Sequence, residues 1–157
     1  MKERFEGTNR PQLIAALSRQ EFANGGTEIA EALCVHGELV ELPAGEKLIE
    51  QGGSDNDVYF LITGTTSILV NGAQIASRKA GQHVGKMAAI EPSLPRSATV
   101  LALETCIALK LSSTSFMVVG DQFPQIWLRL AQELSKRGSP HGYAGPAKIF
   151  RRERYTK

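Results

Sequence analysis

Long apolar runs, patterned cysteines and clustered histidines are all missing from this 157-residue chain. No stretch approaches the ~18 consecutive apolar residues of a membrane span; Gly, Lys or Thr breaks the longest ones. The N-terminus, MKERFEGTNR, has no apolar core, so it does not read as a secretory signal. The expected location is therefore cytoplasmic. The two cysteines, Cys34 and Cys106, stand 72 residues apart in apolar contexts. They make no CxxC and no zinc spacing, and read as reduced core residues. His36, His83 and His141 are scattered, HxH is absent, and a metal enzyme is not expected; His83 reads as a surface residue. Ser97 has no histidine or carboxylate in support, so it is not a candidate nucleophile. No internal repeat is seen. With 42% hydrophobic and 22% charged residues the chain is not disordered as a whole.

Net charge is small, +2, but uneven. Residues 139–157 carry +4, from Lys148, Arg151, Arg152, Arg154 and Lys157 against Glu153, which leaves −2 for the rest. A folded nucleic-acid reader spreads basic charge over a domain face. This body does not.

Three regions follow: a helical segment at 1–38, a β-rich body with closing helices at 39–137, and a linker with a basic tail at 138–157. Residues 1–10 are polar and read as frayed. Pro11 opens a helical pattern with Leu13, Ile14, Leu17 and Phe22 on one face, which Asn24-Gly25-Gly26 stops. Thr27 is an N-cap candidate for a second helix closed by Gly37. From Leu39 the period changes to short alternating segments rich in Val, Ile and Thr. Gly45, Gly52-Gly53, Gly64, Gly72, Gly81 and Gly85 punctuate them, as in a β-sandwich or roll. Asn71-Gly72 between TTSILV and AQIASR predicts a type I′ hairpin. Residues 99–111 read as two further strands. Helix returns after Ser112-Ser113, and Pro124 opens a longer helix with Ile126, Leu130 and Leu134 on one face and Trp127 beside them as packing. Gly138-Ser139-Pro140 ends it. The fold class expected is mainly β, a jelly-roll-like β-roll flanked by N-terminal and C-terminal α-helices.

The chemistry is concentrated in GQHVGKMAAIEPSLPRSATV, residues 81–100. Gly85 permits close backbone approach, and KMAAI begins a short helix whose first amides form an anion site. Arg96 follows between Pro95 and the small residues Ser97 and Ala98. A guanidinium facing such a turn makes a phosphate clamp. Asp55 and Asp57 read as turn residues between Gly53 and Val58, not as an acid/base pair.

The stretch from Leu42 to Arg137 resembles the cyclic nucleotide-binding domain of catabolite activator proteins, protein kinase A regulatory subunits and cyclic-nucleotide-gated channels. LPAGEKLIEQGGSDNDVYFLITG is similar to that family's opening strands. AGQHVGKMAAIEPSLPRSATV is similar to its phosphate-binding cassette, and SSTSFMVVGDQFPQIWLRLAQELSKR to its closing helices. The resemblance implies a cyclic mononucleotide as ligand and no cofactor. It implies a phosphate held by Arg96, the Ser97 hydroxyl, Gly85 and the amides near Met87 and Ala88. It puts the ribose near Lys86 and the base on Ile68, Ile75, Ala76 and Met87. Tyr143 and Phe150 of the tail are lid candidates on their own account, as large aromatic groups downstream of the helix stop.

Two positions depart from the family pattern. Lys86 stands where the family has a glutamate that accepts from the ribose hydroxyl, and an ammonium accepts nothing. The closing helix stops at Gly138, and the residues that follow are too few for a DNA-reading domain. The expectation is thus a sensor and not an enzyme. It would bind cyclic AMP, or cyclic GMP, CMP or UMP given Lys86, and signal through its C-terminal helix to a protein partner or fused effector. Similar sensors occur in bacterial antiphage systems that respond to cyclic pyrimidine nucleotides. A homodimer is one further partner considered. The alternative is a degenerate family member that binds no nucleotide and serves as a protein–protein module. A third reading gives the basic tail to nucleic-acid or membrane contact.

Overall fold

The computed structural model describes residues 1–137 apart from 22, 24 and 25. Phe22, the Asn24-Gly25 stop, the Leu134 side chain and every expectation placed on 138–157, Tyr143 and Phe150 included, lie outside the described residues. Two 3₁₀ turns, Lys2–Phe5 and Gly7–Asn9, precede helices α1 (Arg10–Ser18) and α2 (Thr27–His36). Eight strands follow: β1 (Glu38–Leu42), β2 (Lys47–Ile49), β3 (Val58–Thr63), β4 (Thr65–Val70), β5 (Ala73–Lys79), β6 (His83–Val84), β7 (Thr99–Ala102) and β8 (Cys106–Leu111). The short helix α3 (Lys86–Ile90) sits between β6 and β7, and α4 (Ser113–Gln122) and α5 (Gln125–Arg137) close the described chain. Among the described residues no helix is long and apolar enough to cross a membrane.

The strands form two antiparallel four-stranded sheets, ordered β1-β8-β3-β6 and β2-β7-β4-β5. The first sheet is covered on both faces, which explains why β3 and β8 read as unbroken apolar runs. Alternate side chains go to opposite sides. Val58, Phe60 and Ile62 of β3, with Ile107, Leu109 and Leu111 of β8, meet the helices. Tyr59, Leu61, Cys106 and Ala108 face the second sheet and pack with Leu48, Ile49, Ile68, Val84, Val100 and Ala102. The helix-side core takes Leu13 and Leu17 from α1, Ile29 and Leu33 from α2, Phe116 and Val119 from α4, and Ile126 and Leu130 from α5. Trp127 stacks edge-on to Phe116, with centroids 5.6 Å apart. Both cysteine thiols are buried and unpaired, and burial pushes each above its ordinary pKa.

Local expectations hold where the signal is local. Asn71 (φ 52°) and Gly72 (φ 82°) are both left-handed, as the β4–β5 hairpin requires. The Ser112 hydroxyl accepts from the Ser115 amide at 3.1 Å and caps α4. Three expectations are corrected. Gly26, not Thr27, is the N-cap of α2, with Thr27 its first helical residue. Residues 1–10 are not frayed, because Phe5 is buried in the helix-side core and the Lys2 amide donates to Glu41. His83 is not on the surface. It pairs directly with Phe60, so both point to the helix-side face, and only 1% of it is exposed.

Gly64 joins β3 to β4 at φ +94°, and a Cβ there would lie 2.6 Å from Cys106 Sγ and 2.8 Å from the Thr105 carbonyl oxygen. Gly64→Ala combines strained backbone with a collision against backbone atoms, and should cost about 2–4 kcal/mol. Urea denaturation checks this; an unchanged unfolding midpoint would contradict it.

Candidate functional site

The cassette begins where β6 leaves the first sheet. Gly85 is left-handed (φ 90°, ψ 3°) and starts α3. A Cβ on it would meet the Asp57 carbonyl oxygen at 2.6 Å, Arg96 Nη1 at 2.9 Å and Ile49 Cδ1 at 3.1 Å. Only glycine therefore suits this position, by conformation and by space. After α3 the chain loops through 91–95 to Arg96, whose backbone is tied to the Gly52-Gly53 turn. The Gly52 amide donates to the Arg96 carbonyl at 2.8 Å and the Arg96 amide to the Gly53 carbonyl at 2.9 Å. The Thr99 hydroxyl accepts from the Gln51 amide at 3.0 Å and fixes the return into β7.

The Arg96 side chain is buried and fully directed. Nη2 donates to Asp55 Oδ2 and to the Asp57 carbonyl, both at 2.7 Å. Nε donates to the same Asp55 oxygen at 3.2 Å, and Nη1 to the Gly85 carbonyl at 3.1 Å. Of the five N–H donors of a guanidinium, four thus have partners within the chain. An anion arriving here would take the remaining Nη1–H or displace Asp55, whose side chain is 46% exposed. The assignment of Asp55 and Asp57 to a simple turn is therefore corrected. Asp55 is the counter-charge of Arg96, and the Asp57 carboxylate lies 3.7 Å from Lys110. Tyr59 lies on the same side of β3, its phenol raised by burial first and by the Asp57 and Asp55 charges after that.

The other expected residues fall into three groups. Ile68 stands directly across from Ala76 and Val100, and these join Ile75, Ala98 and Ile49 in the core between the sheets. Ile49 also borders Gly85, so this apolar surface abuts the cradle. Met87 and Ala88 are the second and third residues of α3, Ala88 buried and Met87 half-buried, while Ser97 is exposed. Lys86 stands apart as the third. It is 6% exposed, and its ammonium lies 4.0 Å from Glu133 Oε2 on α5. His83 Nε2 is 3.3 Å from the same oxygen. Sequence reasoning missed the pairing of Asp55 with Arg96 and the approach of His83 and Lys86 to Glu133. These partners are 41 or more positions apart along the chain, and no local pattern marks them.

With this geometry in view, the comparisons with known proteins are decisive about the family. The model of the cyclic nucleotide-binding domain matches residues 39–122. The chain belongs to the cyclic nucleotide-binding domain family. It is 42% identical over 138 residues to the Pycsar effector protein XpPycTIR of Xanthomonas perforans, covering 87% of this chain and 46% of that protein. It is also 42% identical to the Pycsar effector BcPycTIR of Burkholderia cepacia, with the same coverage. The chain therefore spans about half the length of the curated relatives it matches. Among solved structures, the regulatory domain of Toxoplasma gondii PKA with cAMP superposes with a TM-score of 0.70 at 19% identity, over 82% of this chain and 51% of that one. The Thermus thermophilus catabolite activator protein gives 0.64 at 21% identity, over 70% and 54%. At such identities the likeness establishes the β-roll fold alone.

Asp55→Ala would leave the buried Arg96 charge with two backbone carbonyls only. Breaking a fully buried pair costs more, but Asp55 is half in water, so about 1–2 kcal/mol is expected. Thermal denaturation checks this, and equal stability of the two proteins would show that the pair contributes nothing.

Proposed function

We propose that this chain is the sensor part of a signalling protein and binds a cyclic mononucleotide in the cassette of residues 81–100. In this reading Arg96 pairs with the phosphate, helped by the Ser97 hydroxyl, Gly85 and the amides of Met87 and Ala88. The ribose lies near position 86, and the base rests on Ile68, Ile75 and Ala76. The base is adenine, or guanine, cytosine or uracil given Lys86 in place of an acceptor. The signal passes through α5 to a protein partner or a fused effector. The relation to the Pycsar effectors supports an antiphage setting of that kind.

The observation that carries the reading is Arg96 itself: a residue only 4% exposed, its guanidinium aimed at the left-handed Gly85 that opens the cassette helix. One observation favours the non-binding alternative. The chain's own oxygens already occupy four of the guanidinium's donors, as in a module whose arginine is purely structural.

Calorimetric titration with cyclic AMP, GMP, CMP and UMP separates the two. The sensor reading expects one of the four to bind, and Arg96→Ala to lose ~2–4 kcal/mol, about 30–1000-fold in affinity. Binding by none of them would leave the protein–protein module standing. Binding that is indifferent to Arg96→Ala would put the phosphate elsewhere.

A further inference from the structure

We propose that Glu133 of α5 is the residue through which ligand occupancy reaches the closing helix, by competing with the nucleotide phosphate for Lys86. The inference rests on the sensor reading above and concerns how that site is regulated. Ile126, Leu130 and Glu133 follow at i, i+4 and i+7, so they share one face of α5. The first two are buried in the helix-side core, and the third carries a carboxylate onto the same face, with its side chain only 17% exposed. A charge in such a place is costly unless it is compensated. Two basic side chains of one short cassette segment lie beside it. His83 Nε2 lies 3.3 Å from Glu133 Oε2 and Lys86 Nζ 4.0 Å from it. The β3–β6 register explains His83, because pairing with Phe60 turns its ring to the helices, with the two ring centroids 5.9 Å apart. Lys86 follows Gly85 directly, and the Gly85 carbonyl accepts from Arg96.

The Lys86 ammonium and the Glu133 carboxylate therefore brace the cassette against α5. A bound cyclic phosphodiester places a second anion at the cassette. It draws on the Lys86 ammonium and repels the Glu133 carboxylate, most strongly where water is excluded. Both effects weaken the hold on α5. Linkage makes the coupling reciprocal: whatever the ligand takes from the brace, the brace takes from ligand affinity. Lys86 in place of the family's glutamate thus acquires a role. It joins the ligand site to the helix.

The test is the affinity of the full chain and of Glu133→Gln for each of the four cyclic nucleotides, with amide hydrogen exchange of α5 followed in parallel. Glu133→Gln keeps shape and removes charge. It should bind the nucleotide about 5-fold or more tightly, and its α5 amides should exchange alike with and without ligand. Lys86→Gln provides a second reading: its α5 should exchange faster than the native helix when empty, and Glu133→Gln added to it should change affinity no further. Should Glu133→Gln fail to fold, the empty-state exchange of Lys86→Gln decides, and native-like exchange there overturns the brace. Equal or weaker nucleotide binding by Glu133→Gln, with native binding intact, overturns the brace alone. No binding by the native chain overturns the sensor reading, and the brace's link to ligand with it.

Discussion

A guanidinium withdrawn from water must replace its hydration with directed acceptors, or the fold loses more than it gains. Arg96 meets that demand by drawing three separate segments together. It takes a carboxylate and a carbonyl from the 55–57 stretch, a carbonyl from Gly85, and backbone bonds from the Gly52-Gly53 turn. The cassette has its shape because these acceptors converge on one side chain. Gly85 follows from the same constraint, since no other residue leaves room for Arg96 Nη1.

The rest of the fold supplies a rigid base for that convergence. β3 and β8 are buried on both faces, so the first sheet carries two cores at once, one against the second sheet and one against the helices. The candidate base-binding residues are on the first core and the closing helices on the second. A ligand on one side and a response on the other must communicate past this sheet or around its edge. β6 and α3 are at that edge, next to β3 in the sheet order. His83 and Lys86 reach Glu133 of α5 there, directly beside Gly85 and Arg96 of the cradle.

How much of this could be read beforehand depended on the range of the interaction. The β4–β5 hairpin was legible because Asn71-Gly72 encode it locally, and the Ser112 cap likewise. The cassette was legible as glycine turn, short helix and arginine in order. His83 was misread because β6 has two residues, too few to show alternation, and its direction comes from pairing with Phe60. Asp55 looked like a turn residue because turn chemistry is local, while its pairing with Arg96 spans 41 positions. The Lys86–Glu133 approach joins the start of one helix to the last turns of another, and nothing in either segment announces the other. Phe5 was missed for a similar reason, as one aromatic in a polar run has no period.

The central claim is that Arg96 exchanges an internal carboxylate for a ligand phosphate. Its guanidinium N–H resonances report this directly in nitrogen–proton correlation spectra, assigned by their disappearance in Arg96→Lys. Adding the cyclic nucleotides one at a time should give, for one of them, a saturable shift of the Arg96 Nε–H signal, because that proton leaves Asp55 or shares its acceptor with phosphate. An Nε–H signal that stays fixed while the same nucleotide binds to saturation would contradict the account.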